Sequence, residues 1–181
     1  MNQSIVSTSK FLSLILRHQP EAIGMQLDDE GWLAIDELIV NANLRGKKIS
    51  LEIIHEVVAT NDKKRFSLSD DGLRIRANQG HSIANIELNL QRVQPPESLF
   101  HGTVAAFMEP IRKDGLQKRS RNHVHLSSDE STAIKVAQRR GKPVILTVAA
   151  ARMSAAGFEF FLSDNGVWLT NDVPVSFIRF E

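Results

Sequence analysis

Gln94-Pro95-Pro96-Glu97 is the stretch on which the organisation of this sequence turns. Two consecutive prolines remove two backbone donors and fix two φ angles, so neither a helix nor a central strand runs through them. A linker is expected there, with one lobe over 1–94 and another over 95–181. On the N-terminal side, Phe11, Leu12, Leu14, Ile15 and Leu16 recur at helical spacing behind Ser7, Thr8 or Ser9 as a cap, and Pro20 stops the run. A second helix is expected over 34–42, with Ile35, Leu38 and Ile39 on one face. A third, capped by Ser50, is expected over 51–59. The period then falls to two, Phe66 and Leu68 followed by Leu73, Ile75 and Ala77, across an Asp71-Gly72 turn. Three short helices and a two-stranded wing form the pattern of a winged-helix lobe.

The C-terminal side reads as strands over 99–102, 124–127, 143–149, 158–162, 167–170 and 173–180, with helices over 103–113 and 129–140. Asp164-Asn165-Gly166 is its strongest hairpin signal. Strands and helices do not alternate regularly, so the class is α+β, not a doubly wound parallel sheet.

Bulk properties narrow the function. With 181 residues, 42% of them apolar, the chain can bury one sizeable core or two small ones. The absence of cysteine excludes disulfides and thiolate metal ligation. No stretch reaches the roughly 20 apolar residues that span a bilayer, and no charged-then-apolar leader opens the chain. A soluble, cytoplasmic, monomeric protein with no membrane partner is expected. Net charge is only +1, so any attraction to nucleic acid must be local. Two segments supply it: Lys63, Lys64, Arg65, Arg74 and Arg76, and then Arg112, Lys113, Lys118, Arg119 and Arg121.

Several residues can carry chemistry, each with a plainer alternative. Arg17 and His18 close the first helix, where they can grip a phosphate or merely meet the helix dipole. Arg65 opens the wing; a guanidinium fork pairs bidentately with phosphate oxygens, yet a basic cluster is commonly a solvated face. Arg119 lies in a polar loop with Lys118 and Arg121, and the sequence alone does not choose among them. In Phe100-His101-Gly102-Thr103, Gly102 would let a ligand approach the backbone and the following helix start favours anions. His123-Val124-His125-Leu126-Ser127 puts two histidines on one strand face, but without HExxH or comparable spacing a zinc site is rejected and no metal is expected. Trp32 and Trp168 read most simply as core anchors.

These segments in this order resemble the RNA 2′-phosphotransferase family. The resemblance runs from Ser9 to about Phe177. Its markers are Ser9-Lys10-Phe11-Leu12, Leu16-Arg17-His18, Asp29-Glu30-Gly31-Trp32, Asp62-Lys63-Lys64-Arg65-Phe66, Gln79-Gly80-His81-Ser82, Leu99-Phe100-His101-Gly102-Thr103, His123-Val124-His125-Leu126-Ser127 and Gly166-Val167-Trp168-Leu169-Thr170. The resemblance implies a winged-helix lobe followed by an ADP-ribosyltransferase-like lobe. It implies a catalytic set of Arg17, His18, Arg65 and Arg119, with Arg121 the alternative in the same loop. It implies an NAD pocket around His101, Gly102, Thr103, His125, Ser127 and Val173, Asp172 being the neighbour of the last.

The implied substrates are NAD and RNA carrying an internal 2′-phosphate, as in tRNA splicing. The 2′-phosphate attacks the anomeric carbon, nicotinamide leaves, and RNA-2′-phospho-ADP-ribose forms. Attack by the ribose 2″-hydroxyl then releases RNA and ADP-ribose 1″,2″-cyclic phosphate, a step in which Arg119 is expected to act. Two rival readings are an ADP-ribosyltransferase acting on nucleic-acid phosphate ends and a non-catalytic winged-helix nucleic-acid-binding protein.

Overall fold

The computed structural model describes residues 3–61, 63–83, 86, 88 and 90–180, and the chain divides into two compact units, Met1–Asn89 and Leu90–Glu181. Asp62 of the basic motif lies outside the described residues. The segment expected as a linker is built into the second unit. The Val93 N–H donates to the Phe160 carbonyl at 2.9 Å, Arg92 bridges to Phe161, and the Ala151 N–H donates to the Glu97 carbonyl at 3.3 Å. The prolines do exclude a regular ladder there, but the flanking backbone groups still need partners once they lie against the core.

The N-terminal unit opens with α1 (Gln3–Ile15), earlier than any of the expected caps. Ser7 and Ser13 instead turn their hydroxyls back onto the carbonyls of Ser4 and Ser9, at 2.9 and 2.8 Å, which satisfies them inside the helix. The helical bonding continues past Ile15, from Leu16 N–H to Leu12 and from His18 N–H to Leu14. A short 3-10 turn over Pro20–Ile23 follows. Then come β1 (Trp32–Ala34), α2 (Ile35–Leu44), α3 (Leu51–Ala59), β2 (Phe66–Leu68) and β3 (Arg74–Ala77). The Ser50 side chain accepts from the Ile53 N–H, the expected cap.

Strand β1 was not expected, since three residues show no readable period. It makes the sheet three-stranded and antiparallel, in the order β1-β3-β2, and pairs Trp32 directly with Arg76. Leu12, Leu16, Leu38, Ile54 and Ile75 are completely buried in this unit's core.

The C-terminal unit contains β4 (Leu99–Val104), α4 (Met108–Asp114), β5 (Val124–Leu126), α5 (Glu130–Ala137), β6 (Pro143–Val148), α6 (Ala150–Ala155), β7 (Phe160–Leu162), β8 (Trp168–Thr170) and β9 (Ile178–Phe180). These form two antiparallel sheets, β4-β6-β9 and β5-β8-β7. Reciprocal backbone bonds between Phe100 and Ser127, at 2.9 and 2.8 Å, tie β4 to the chain just beyond β5. The mixture of helices and small antiparallel sheets is the expected α+β class.

Differences are local. Strand β4 runs on to Val104, so the helix read from 103 begins only at Met108. Helix α5 starts at Glu130, because Asp129 acts as its cap and accepts from the Thr132 N–H at 2.8 Å. Helix α6 was not expected: its six residues are too short to show a helical period. The last strand keeps only Ile178–Phe180, since Pro174 and a 3-10 turn over Val175–Phe177 interrupt it. Among the described residues no helix is long and apolar enough to cross a membrane.

Candidate active site

In the N-terminal unit, Arg17 and His18 sit in the last turn following α1, and the segment 79–82 is bonded to them. The Ser82 N–H donates to the Arg17 carbonyl at 2.9 Å, and the Ser82 hydroxyl lies 2.8 Å from His18 Nδ1. A hydroxyl can serve either protonation state of that nitrogen, so the bond orients the ring without fixing its charge. Next to Ser82, His81 is 1% exposed. Burial pushes its pKa down to about 4, helped by the charges of Arg17, His18 and Arg76, while the Leu16 carbonyl pulls the other way. Arg76 in turn lies over the Trp32 ring, 4.5 Å from its centroid. Thus the wing strand contributes Arg76, which the sequence offered only as one member of a basic segment, and Trp32 supports it.

The state of His81 has a measurable consequence. Its folded pKa lies below the unfolded value of about 6.5, so between pH 6.5 and about 4 the unfolded chain binds the extra proton. Its contribution to stability is complete above pH 6.5 and is lost as pH falls through that window, by about 3 kcal/mol in all. Denaturant midpoints should therefore drop faster between pH 6.5 and 4.5 for the natural chain than for His81→Gln. Identical pH slopes, or an NMR titration of the His81 ring near pH 6.5, would contradict this.

Arg65 is set just before β2 by a strained turn. Lys64 adopts a left-handed φ of 40°, a conformation that L-residues rarely adopt. The turn is held by Asn78, itself buried. Its N–H donates to the Arg65 carbonyl at 2.9 Å, its Nδ2 donates to the Lys64 carbonyl at 2.8 Å, and its Oδ1 accepts from the Ser67 hydroxyl at 2.7 Å. Arg65 Nη1 lies 3.4 Å from Asn61 Oδ1, and Asn61 Nδ2 lies 3.3 Å from Ser9 Oγ on α1. Arg65 therefore lies against the Ser9 region of α1, the helix that leads into the turn with Arg17 and His18. In the sequence nothing local marks Asn78 as the organiser of this turn, beyond its being a polar residue directly after a strand.

In the C-terminal unit, His101 on β4 donates from Nδ1 to the His125 carbonyl on β5 at 3.0 Å. With Nδ1 carrying the proton, Nε2 presents a lone pair. Burial pushes the His101 pKa down; the His125 carbonyl pulls it back up in part, and the charges of Arg121 and Arg140 add smaller downward pushes. The His125 ring receives Arg121, whose Nη1 is 3.4 Å from His125 Nδ1. The loop geometry thus separates the two candidate arginines. The Lys118 N–H donates to Asp172 Oδ1 at 2.6 Å, and the Arg121 N–H donates to the Lys118 carbonyl at 3.1 Å. Both arginines are exposed, but Arg119 sits at the tip of that turn with φ 54°, whereas the Arg121 guanidinium reaches His125. Burial, then Arg140, push the Arg121 pKa down from its ordinary value, though an arginine remains charged.

The other expected pocket residues are placed as follows. Thr103 is buried on β4, two residues beyond His101 and so on the same strand face. Ser127 spends its backbone groups on Phe100. Val173 is completely buried in the core and bridges Leu116. Asp172 is engaged with the Lys118 backbone. His123 packs edge-on to Phe161, 5.5 Å between centroids, and does not join His125 in a ligand set. Among the described residues no group of three or more His, Asp or Glu side chains is placed to hold a metal.

Gly102 requires a correction. It was read as an opening through which a ligand approaches the backbone. A Cβ at Gly102 would instead overlap the Ala133 carbonyl and crowd Ala137, both on α5. The glycine therefore lets α5 pack closely on β4. Gly102→Ala should lower the stability of the C-terminal unit by about 1–3 kcal/mol through overpacking, seen as a lower melting temperature with or without ligand. An unchanged melting curve would restore the reading of an open approach.

Residues 3–172 match the model of a family described as "RNA 2'-phosphotransferase, Tpt1 / KptA family". The chain is 65% identical over 179 residues to a protein of Rhodopirellula baltica named "Probable RNA 2'-phosphotransferase", covering 99% of this chain and 97% of that one. It is 53% identical over 182 residues to a protein of the same name from Flavobacterium johnsoniae, covering all of both. It is 50% identical over 177 residues to another from Escherichia coli O139:H28, covering 98% of this chain and 96% of that one.

Proposed function

The chain belongs to the RNA 2′-phosphotransferase, Tpt1/KptA family, and we propose that it removes an internal 2′-phosphate from RNA by transferring it to NAD. The observation that carries the NAD reading is the His101–His125–Arg121 arrangement. His101 uses Nδ1 on a carbonyl and so offers Nε2 as an acceptor for a ribose hydroxyl, while Arg121 and Arg140 bring cations suited to phosphate groups. Neutral acceptor and fixed cations in one unit match a dinucleotide's hydroxyls and phosphates. In this reading the N-terminal unit is a winged-helix module, supported by its three helices and sheet order β1-β3-β2. The C-terminal unit is an ADP-ribosyltransferase-like module.

The roles follow from chemistry. Arg17, His18 and Arg65 hold the 2′-phosphate dianion and aim one of its oxygens, a positioning task. His101 and His125 orient the ribose whose anomeric C–N bond breaks as the new C–O bond forms, nicotinamide leaving as a neutral base. Arg121 then stabilises charge on the phosphoryl oxygens as the 2″-hydroxyl attacks phosphorus and the bond to the RNA 2′-oxygen breaks. That oxygen takes up the proton that the attacking hydroxyl gives up.

Incubation with NAD and a 2′-phosphorylated oligoribonucleotide tests the whole reading. RNA bearing a 2′-hydroxyl together with ADP-ribose 1″,2″-cyclic phosphate is expected. A stable ADP-ribosylated RNA would point to a transferase that stops after the first step, and no product would leave a binding module.

A further inference from the structure

Beside the residues assigned to the 2′-phosphate, the N-terminal unit has a cavity of about 430 Å³ between α1, the end of α3 and the approach to β2. Ile5, Val6 and Val57 give it an apolar floor. Lys10, Lys63 and Arg65 line it with three cations, and among the described residues no acidic side chain is part of the lining. Ser9 and Asn61 add hydrogen-bonding groups. We propose that this cavity is a subsite for an RNA nucleotide flanking the 2′-phosphorylated one, its base or ribose on the apolar floor and its backbone phosphate against Lys10 and Lys63. The proposal rests on the RNA phosphotransferase reading and extends its binding surface.

Two features select this ligand. A free phosphate ion would gain nothing from the apolar floor, and an apolar ligand would gain nothing from three cations. A nucleotide has a flat apolar face and an anionic linkage, and uses both. The cavity also lies on the path that the RNA must take. Ser9, Ser13 and Arg17 follow at intervals of four and so share one face of the helical run, and Ser9 and Ser13 line the cavity. At about 1.5 Å per residue, Ser13 lies about 6 Å and Ser9 about 12 Å along the axis from Arg17. Arg65 is common to the cavity and to the 2′-phosphate set. A strand anchored by its 2′-phosphate therefore meets this cavity with its next residue.

The test compares a nucleoside 2′-phosphate, which has no flanking residue, with an oligoribonucleotide carrying an internal 2′-phosphate. The natural chain should favour the oligonucleotide in kcat/KM. Lys10→Glu and Lys63→Glu should each reduce that preference roughly tenfold, and each should lower the salt slope of oligonucleotide binding by about one. Val6→Trp, which fills the floor, should reduce the preference in the same way. Equal losses on both substrates, or none, overturn the subsite. A second arm, fluorescence anisotropy with an unphosphorylated oligoribonucleotide, does not depend on transfer. Weaker binding by the lysine variants supports the subsite even where no 2′-phosphate is turned over, the outcome that would instead defeat the transferase reading. Equal binding by natural and variant chains overturns the subsite even where turnover is intact.

Discussion

Arg121→Ala is expected to convert 2′-phosphorylated RNA into RNA-2′-phospho-ADP-ribose and then stall, with the second step slowed about 10²- to 10³-fold. The two steps make opposite demands on a cation beside the phosphate. In the first, the phosphate is the nucleophile. Electron density leaves its oxygens as the bond to the anomeric carbon forms, so a cation there gives the transition state no advantage over the bound dianion. In the second, a hydroxyl attacks the phosphorus of a diester, and negative charge builds on the phosphoryl oxygens. A guanidinium already held against His125 is worth most at that moment, because it needs no reorganisation. By then the phosphate is covalently attached to the ligand assigned to the histidine pair, which brings it to Arg121. Arg119→Ala should lose far less, since Arg119 sits at the tip of the turn while Arg121 reaches His125. Gel mobility over a time course distinguishes starting RNA, the ADP-ribosylated species and product. Accumulation by Arg119→Ala and not by Arg121→Ala would return the role to the residue chosen from the motif. Unreacted RNA alone in Arg121→Ala would move Arg121 to binding or to the first step.

The loop over 117–122 shows where sequence reading stops. Three basic residues lie within four positions, and helical or strand periodicity cannot say which side chain returns to the core. That depends on the left-handed turn at Arg119 and on the Asp172 carboxylate, distant in sequence, that anchors the Lys118 N–H. By contrast, Ser50 as a helix cap, the Asp71-Gly72 turn and the Asn165-Gly166 turn rest on local rules and were legible. Gly102 was legible as a close approach, but the approaching group is α5, which no local pattern reveals. The same holds for His81 and Asn78. Both are polar residues just beyond the wing strand, and only the tertiary structure buries them beside the basic residues they organise.

Arg65→Ala is expected to reduce turnover of 2′-phosphorylated RNA by roughly 10²- to 10³-fold, and Arg65→Lys by about ten- to a hundredfold. The difference measures geometry apart from charge. Lysine keeps the cation but loses the planar fork that meets two phosphate oxygens at once. The structure prepares that fork. The left-handed Lys64 turn aims the residue, Asn78 clamps the turn through three hydrogen bonds, and Asn61 steadies the guanidinium. A turn held in a rarely populated conformation reverts when its clamp is removed. Asn78→Ala should therefore reproduce part of the Arg65→Lys loss, although Asn78 is assigned no contact with RNA. It should also lower stability by about 1–3 kcal/mol, because the loss of a buried partner leaves backbone groups unsatisfied. The rate loss should persist at temperatures where Asn78→Ala is fully folded by circular dichroism. If the basic run at 63–65 were only a solvated face, all three variants would turn over normally. Near-normal turnover by a folded Arg65→Ala protein would establish that and remove Arg65 from the phosphate-binding set.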